Sequence, residues 1–72
     1  QFYYYAGLAN NQLKQFKKAK EILEIGMDYV VEDIALEINY NIQLGEAHNG
    51  LGDMTKKGFY FSKAEALLKK QK

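Results

Sequence analysis

The chain has 72 residues, enough for one small domain with a modest core. It contains no cysteine, which removes disulfide staples and thiolate metal sites, and no arginine, which removes the bidentate fork usual in phosphate and carboxylate recognition. A formal net charge of +1 argues against a general polyanion binder, and no apolar run approaches the roughly 18 residues that read as a membrane span.

In chain order, Phe2, Ala6, Ala9 and Leu13 recur at spacings of 4, 3 and 4, the helical period, and predict a first helix over Phe2 to Leu13 that turns these four side chains inward. Lys14-Gln15 is a tight turn. The spacing of Phe16, Ala19, Leu23, Gly26 and Val30 then predicts a second helix to about Val31, with Ile22 and Ile25 flanking the stripe. A glycine inside a helix costs about 1 kcal/mol relative to alanine, so Gly26 marks either a point of close helix approach or the start of a loosening before Val30-Val31. Glu32-Asp33 offers a capping acid for a third helix over about Ile34 to Leu51, with Tyr40, Leu44, Ala47 and Leu51 inward. Gly52 supplies a left-handed stop, and Asp53 caps a fourth helix running from about Met54 to Lys70, weakened by Gly58 and ending in lysines that suit a helix C-terminus.

These elements repeat. At a gap-free offset of 38 residues, Phe2 falls on Tyr40, Ala6 on Leu44, Gly7 on Gly45, Ala9 on Ala47, Leu13 on Leu51, Leu23 on Phe61 and Gly26 on Ala64. Self-similarity at such a period is the mark of stacked helical units. Gly7 and Gly45 are expected where a larger side chain would force each helix pair apart.

The paired copies resemble the tetratricopeptide repeat, a helix-turn-helix unit of about 34 residues with a small-residue pair in its first helix and an alanine, aromatic, alanine series in its second. Ala6-Gly7, Ala19, Leu23 and Gly26 occupy those places in copy one, with Tyr3 where the family has tryptophan. Leu44-Gly45, Gly52-Asp53, Phe61 and Ala64 occupy them in copy two, where Asn41 stands for the tryptophan, His48 for a tyrosine and Lys57 for the first alanine. About four residues exceed the family period and fall at Ile34 to Glu37, and neither copy has the family's closing proline. The resemblance implies an all-α domain over residues 1–72, two stacked antiparallel hairpins with repeat one at about 1–33 and repeat two at about 38–71. The chain begins inside a repeat, as a piece of a longer array would.

The inventory for catalysis is thin: one histidine, and Thr55 and Ser62 as the hydroxyl amino acids. His48 is the one side chain suited to proton transfer near neutral pH, and its position in the repeat assigns it to packing between helices. Glu46 and His48, two residues apart on a helix, do not share a face. With no phosphate loop, calcium loop or cysteine, the sequence points to no enzyme, no metal and no cofactor. Lys14, Lys17, Lys18 and Lys20 make a small basic patch, and Tyr3, Tyr4 and Tyr5 have rings for stacking on bases, but eight acids and no lysine between residues 21 and 53 oppose nucleic-acid binding.

In the tetratricopeptide family the first helices line a concave groove that holds a segment of another protein. Carried over by position, that groove is lined here by Tyr4, Leu8 and Asn11 from the first helix and Asn39, Ile42, Gln43, Glu46 and Asn49 from the third. The carboxylate-gripping subfamily uses lysine and asparagine on its first helix. Tyr4 and Leu8 stand there instead, which argues against that specificity. The expected function is a protein interaction scaffold for a partner peptide or helix. The alternatives are a structural element that self-associates through its end helices, and an accessory or sensor module of a larger protein. Apolar Phe59, Tyr60, Leu67 and Leu68 on the last helix, with Phe2 and Tyr5 on the first, are more than two hairpins are expected to bury.

Overall fold

The computed structural model describes residues 2–71, and its fold is all-α. The four helices are α1 (Phe2–Gln12), α2 (Phe16–Met27), α3 (Ile34–Gly50) and α4 (Met54–Lys70), with no strand among the described residues. α1 packs on α2 and α3 on α4, each pair joined by a three-residue turn, and α3 also packs against both helices of the first pair. The result is two stacked helical hairpins with α3 at the centre, 33 × 26 × 17 Å in extent.

The two turns share one geometry. Lys14 at φ 61° and Gly52 at φ 80° both enter the left-handed region, and the following amide reaches back five residues: Gln15 N donates to Asn10 O at 2.8 Å, and Asp53 N to His48 O at 2.9 Å. This is the helix-ending motif that favours glycine, and copy one makes it with a lysine at a cost of roughly 1 kcal/mol. Their caps differ too. Asp53 Oδ1 accepts from Lys56 N at 3.1 Å, as Asp33 Oδ1 does from Leu36 N at 3.0 Å, whereas Gln15 makes no side-chain cap.

The core is Ala19 and Leu23 of α2 with Tyr40, Leu44 and Ala47 of α3, ringed by Tyr3, Tyr4, Met27, Val30, Leu36 and Tyr60. Close approach is set by glycine. A Cβ on Gly7 would overlap the Leu23 side chain, and one on Gly45 would lie 2.7 Å from the Phe61 ring. At Gly26 it would collide with both the Tyr40 hydroxyl and the Cβ of Tyr3, which lets α3 seat its tyrosine against α2.

Several expectations are corrected. Phe2 and Leu13 are 78% and 69% exposed and Ala9 is exposed, so α1 does not turn this stripe inward. Ala6 of the stripe is half-buried, and the other buried or half-buried residues of α1 are Tyr3 and Gly7 toward α2, Tyr4, Leu8 and Asn11 toward α3, and Asn10, which bonds back to Ala6 O. Among the described residues α1 packs only on α2 and α3, and no helix covers the side that carries this stripe. Leu51 lies half out of the core just past the end of α3, and Ile25 is similarly exposed. α2 stops at Met27 rather than Val31: Tyr29 N and Val30 N bond to Gly26 O and Met27 O in tight turns, and Tyr29, Val30 and Val31 are weak helix formers after a glycine. Glu32, at φ 53°, reverses the chain before Asp33 caps α3. Ile34 to Glu37 form the first turn of α3, and α4 runs unbroken through Gly58.

Candidate functional site

The seam between α1 and α3 opens into a groove of about 250 Å³ lined by Leu8, Asn11, Gln12, Phe16, Ile42, Gln43 and Glu46. Five of the eight groove positions expected from sequence meet here. Leu8 and Asn11 come from one face of α1, and Ile42, Gln43 and Glu46 from the facing side of α3. The helices are held in register by Asn11, whose Nδ2 donates to the Gln43 main-chain O at 3.0 Å and to Gln43 Oε1 at 2.9 Å. Its Oδ1 is buried without a partner.

Tyr4 does not line the groove but packs edge-on against Tyr40, ring centroids 5.6 Å apart. Asn39 and Asn49 are exposed on α3 outside the lining. Gln12 and Phe16 belong to the groove without having been expected there. The α2 stripe turns Phe16 inward, and it is half-buried, its ring leaning on Gly50 where any Cβ would overlap it. Gln12 is the last residue of α1, and helical spacing alone does not reveal that a helix end borders a hollow.

The groove is mixed in character. Leu8, Phe16 and Ile42 form an apolar floor, the amides of Asn11, Gln12 and Gln43 offer donors and acceptors, and the exposed Glu46 gives the rim a negative charge. Its volume suits one or two side chains rather than a whole small ligand.

A second hollow, about 320 Å³, lies between α2 and α4 over Leu44, with Glu24, Met27 and Asp28 on one wall and Phe59, Tyr60 and Lys63 on the other. Lys63 Nζ sits 5.8 Å from the Phe59 ring centroid. Burial, with a smaller contribution from Glu24, raises the Tyr60 phenol above its usual range.

His48 is 3% exposed, stacks on Tyr60 at 5.4 Å, and has no hydrogen-bond partner at either ring nitrogen. Burial pushes its pKa below the ordinary value; Lys56 and Lys20 act in the same direction, opposed by Asp53 and Glu24. A neutral imidazole packed against a phenol is the outcome. Among the described residues, no group of three or more His, Asp or Glu side chains is placed to hold a metal, and no helix is long and apolar enough to cross a membrane.

Comparison with protein-family models, curated proteins and solved structures gives no match.

Proposed function

We propose that the chain is a protein interaction scaffold of the tetratricopeptide type, two repeats at about 1–33 and 38–71, and not an enzyme. Its ligand is a short peptide segment of another protein, held in the seam between α1 and α3. The observation that carries the reading is the groove itself: an apolar floor of Leu8, Phe16 and Ile42 beneath side-chain amides and one free carboxylate. Such a floor anchors one apolar side chain, while Gln12 and Gln43 bond to a peptide main chain without regard to sequence. Glu46, on the exposed edge, favours a lysine or arginine next to that anchor.

Selection from a random peptide library displayed on phage tests this. The expected result is a motif that pairs an apolar residue with a basic one. Glu46→Lys, an exposed position where folding is undisturbed, should shift the basic preference to acidic. No enriched motif, or a motif that binds the Glu46→Lys and Gln12→Lys variants as well as the original chain, would remove the groove from consideration.

A further inference from the structure

We propose that the hollow between α2 and α4 is a binding site for a guanidinium, the head of an arginine side chain on a partner protein. The inference stands on this hollow and not on the groove between α1 and α3. Its floor is Leu44, which lies on the side of α3 opposite Ile42, Gln43 and Glu46. α2 and α4 each pack on α3 and not on one another, so the gap lies between the two described hairpins, which supply both of its walls. At about 320 Å³ it has room for one long side chain.

The α2 wall is acidic where a helix favours bases. Glu24 lies in the last turn of α2 and Asp28 at its C-cap, four residues apart on one face, and that turn has no basic residue. Like charges at this spacing repel, and both add to the negative end of the helix dipole. α4, by contrast, ends in Lys69 and Lys70. Among the described residues neither carboxylate has a hydrogen-bond or ion-pair partner, and Lys20, one turn before Glu24, lies outside the lining. A cation is what this wall lacks.

The α4 wall is aromatic. Phe59 and Tyr60 meet edge to face with centroids 5.1 Å apart, and Tyr60 is held in place by its stack on the buried His48. The Phe59 ring already carries a cation of the chain's own, Lys63 Nζ at 5.8 Å from the centroid, inside the range of about 6 Å for that attraction. This compact ammonium sits over the ring and pairs with neither carboxylate. A guanidinium can do both at once: its plane stacks on an aromatic face while its fixed N–H fork bonds to carboxylate oxygens, and it is more weakly hydrated than an ammonium. The chain has no arginine to supply one. Two carboxylates against one ammonium leave the lining net negative, and the exposed Lys63, on its flexible stem, swings aside for the incoming head.

The experiment titrates N-acetyl-arginine methylamide into the isotope-labelled chain and follows the backbone amides by NMR, with N-acetyl-lysine methylamide, free arginine, tetramethylammonium chloride and inorganic phosphate as comparison probes. The blocked arginine should shift the amides of Met27, Asp28, Tyr60 and Lys63 along a saturating curve, leave those of Gln12 and Gln43 in place, and bind at least about fivefold more tightly than the blocked lysine. Four exposed positions supply the variants, each checked for an unchanged helical circular dichroism spectrum. Glu24→Gln with Asp28→Asn should weaken binding about tenfold and Phe59→Leu about threefold, whereas Lys63→Gln should tighten it about threefold by clearing the ring and removing a like charge. Glu46→Lys, which tests the other groove, should leave it unchanged. The proposal is overturned by shifts that do not saturate, by lysine or tetramethylammonium binding as tightly as arginine, or by free arginine binding more tightly than the blocked form, which would assign the site to a free amino acid. Saturable phosphate binding that Lys63→Gln abolishes would equally overturn it, since Lys63 would then be gripping an anion.

Discussion

The two hairpins are built on one pattern and stabilised differently. Hairpin one has the glycine that admits α3 but turns its chain on Lys14 and leaves α2 without a side-chain cap. Hairpin two turns on Gly52, caps α4 with Asp53, and carries a buried histidine where hairpin one has a satisfied asparagine. What differs most is neighbours. α3 is covered on both sides by other helices, while α1 presents the equivalent stripe to solvent, so a repeat pattern tells which faces a helix is able to bury and its place in the stack decides which ones it does.

The largest expected break in this comparison is at the point where the hairpins meet. Gly26→Ala places a Cβ against the Tyr40 hydroxyl and the Cβ of Tyr3, the latter fixed to main chain, and should lower stability in urea unfolding by about 3 kcal/mol, the upper end for overpacking. The repeat-equivalent Ala64→Gly should cost only about 1 kcal/mol, the helix-propensity difference with a small cavity added. Equal losses from the two substitutions would mean that the α2–α3 contact is looser than described.

The turns give a smaller, opposite pair. Gly52→Ala forces a side chain into the left-handed region and should destabilise by about 1 kcal/mol, whereas Lys14→Gly relieves the same strain and should stabilise by up to about 1 kcal/mol, reduced by the entropy glycine adds to the unfolded chain. Thermal melts of both variants read the signs directly. At the caps, Asp53→Ala should cost about 1 kcal/mol and Gln15→Asp should gain a few tenths to about 1 kcal/mol by supplying α2 with the cap that α4 already has.

Acid should act through hairpin two. The folded pKa of His48 is lowered, so the unfolded chain binds the extra proton first: the stability tied to neutral His48 is complete above the ordinary histidine pKa of about 6.5 and is lost as pH falls below it toward the folded value. The melting temperature should therefore drop between about pH 7 and pH 5. His48→Asn, which installs the residue found at the equivalent Asn10, should flatten that part of the profile. An unchanged slope in the variant would assign the acid sensitivity to other groups.

Much of this was legible in the sequence because local chemistry fixes it. The capping aspartates, the stop at Gly52, the extents of α3 and α4, and the close contacts at Gly7, Gly26 and Gly45 all follow from residue types whose geometry is restrictive. The inward face of α1 was not legible: Phe2, Ala9 and Leu13 have the spacing and character of a core stripe, and spacing alone does not register that no described helix packs on that side of α1. The groove was read in part for a related reason. Leu8, Asn11, Ile42, Gln43 and Glu46 follow from the repeat register, but Phe16 enters only because Gly50 lets its ring lean toward the seam, and Tyr4 leaves because Tyr40 takes it as a packing partner.

Ala9 and Ala47 allow the central contrast to be measured in one experiment, because they are repeat equivalents, one exposed and the other 0% exposed, in a chain that has no cysteine. Single variants Ala9→Cys and Ala47→Cys, kept dilute, should differ sharply in reaction with a thiol reagent: the first at the rate of a free thiol, the second only through opening of the fold and hence orders of magnitude more slowly. Equal, fast rates would contradict the stacking of α3 on the first hairpin. Protection at position 9 in the dilute chain would contradict the open face of α1.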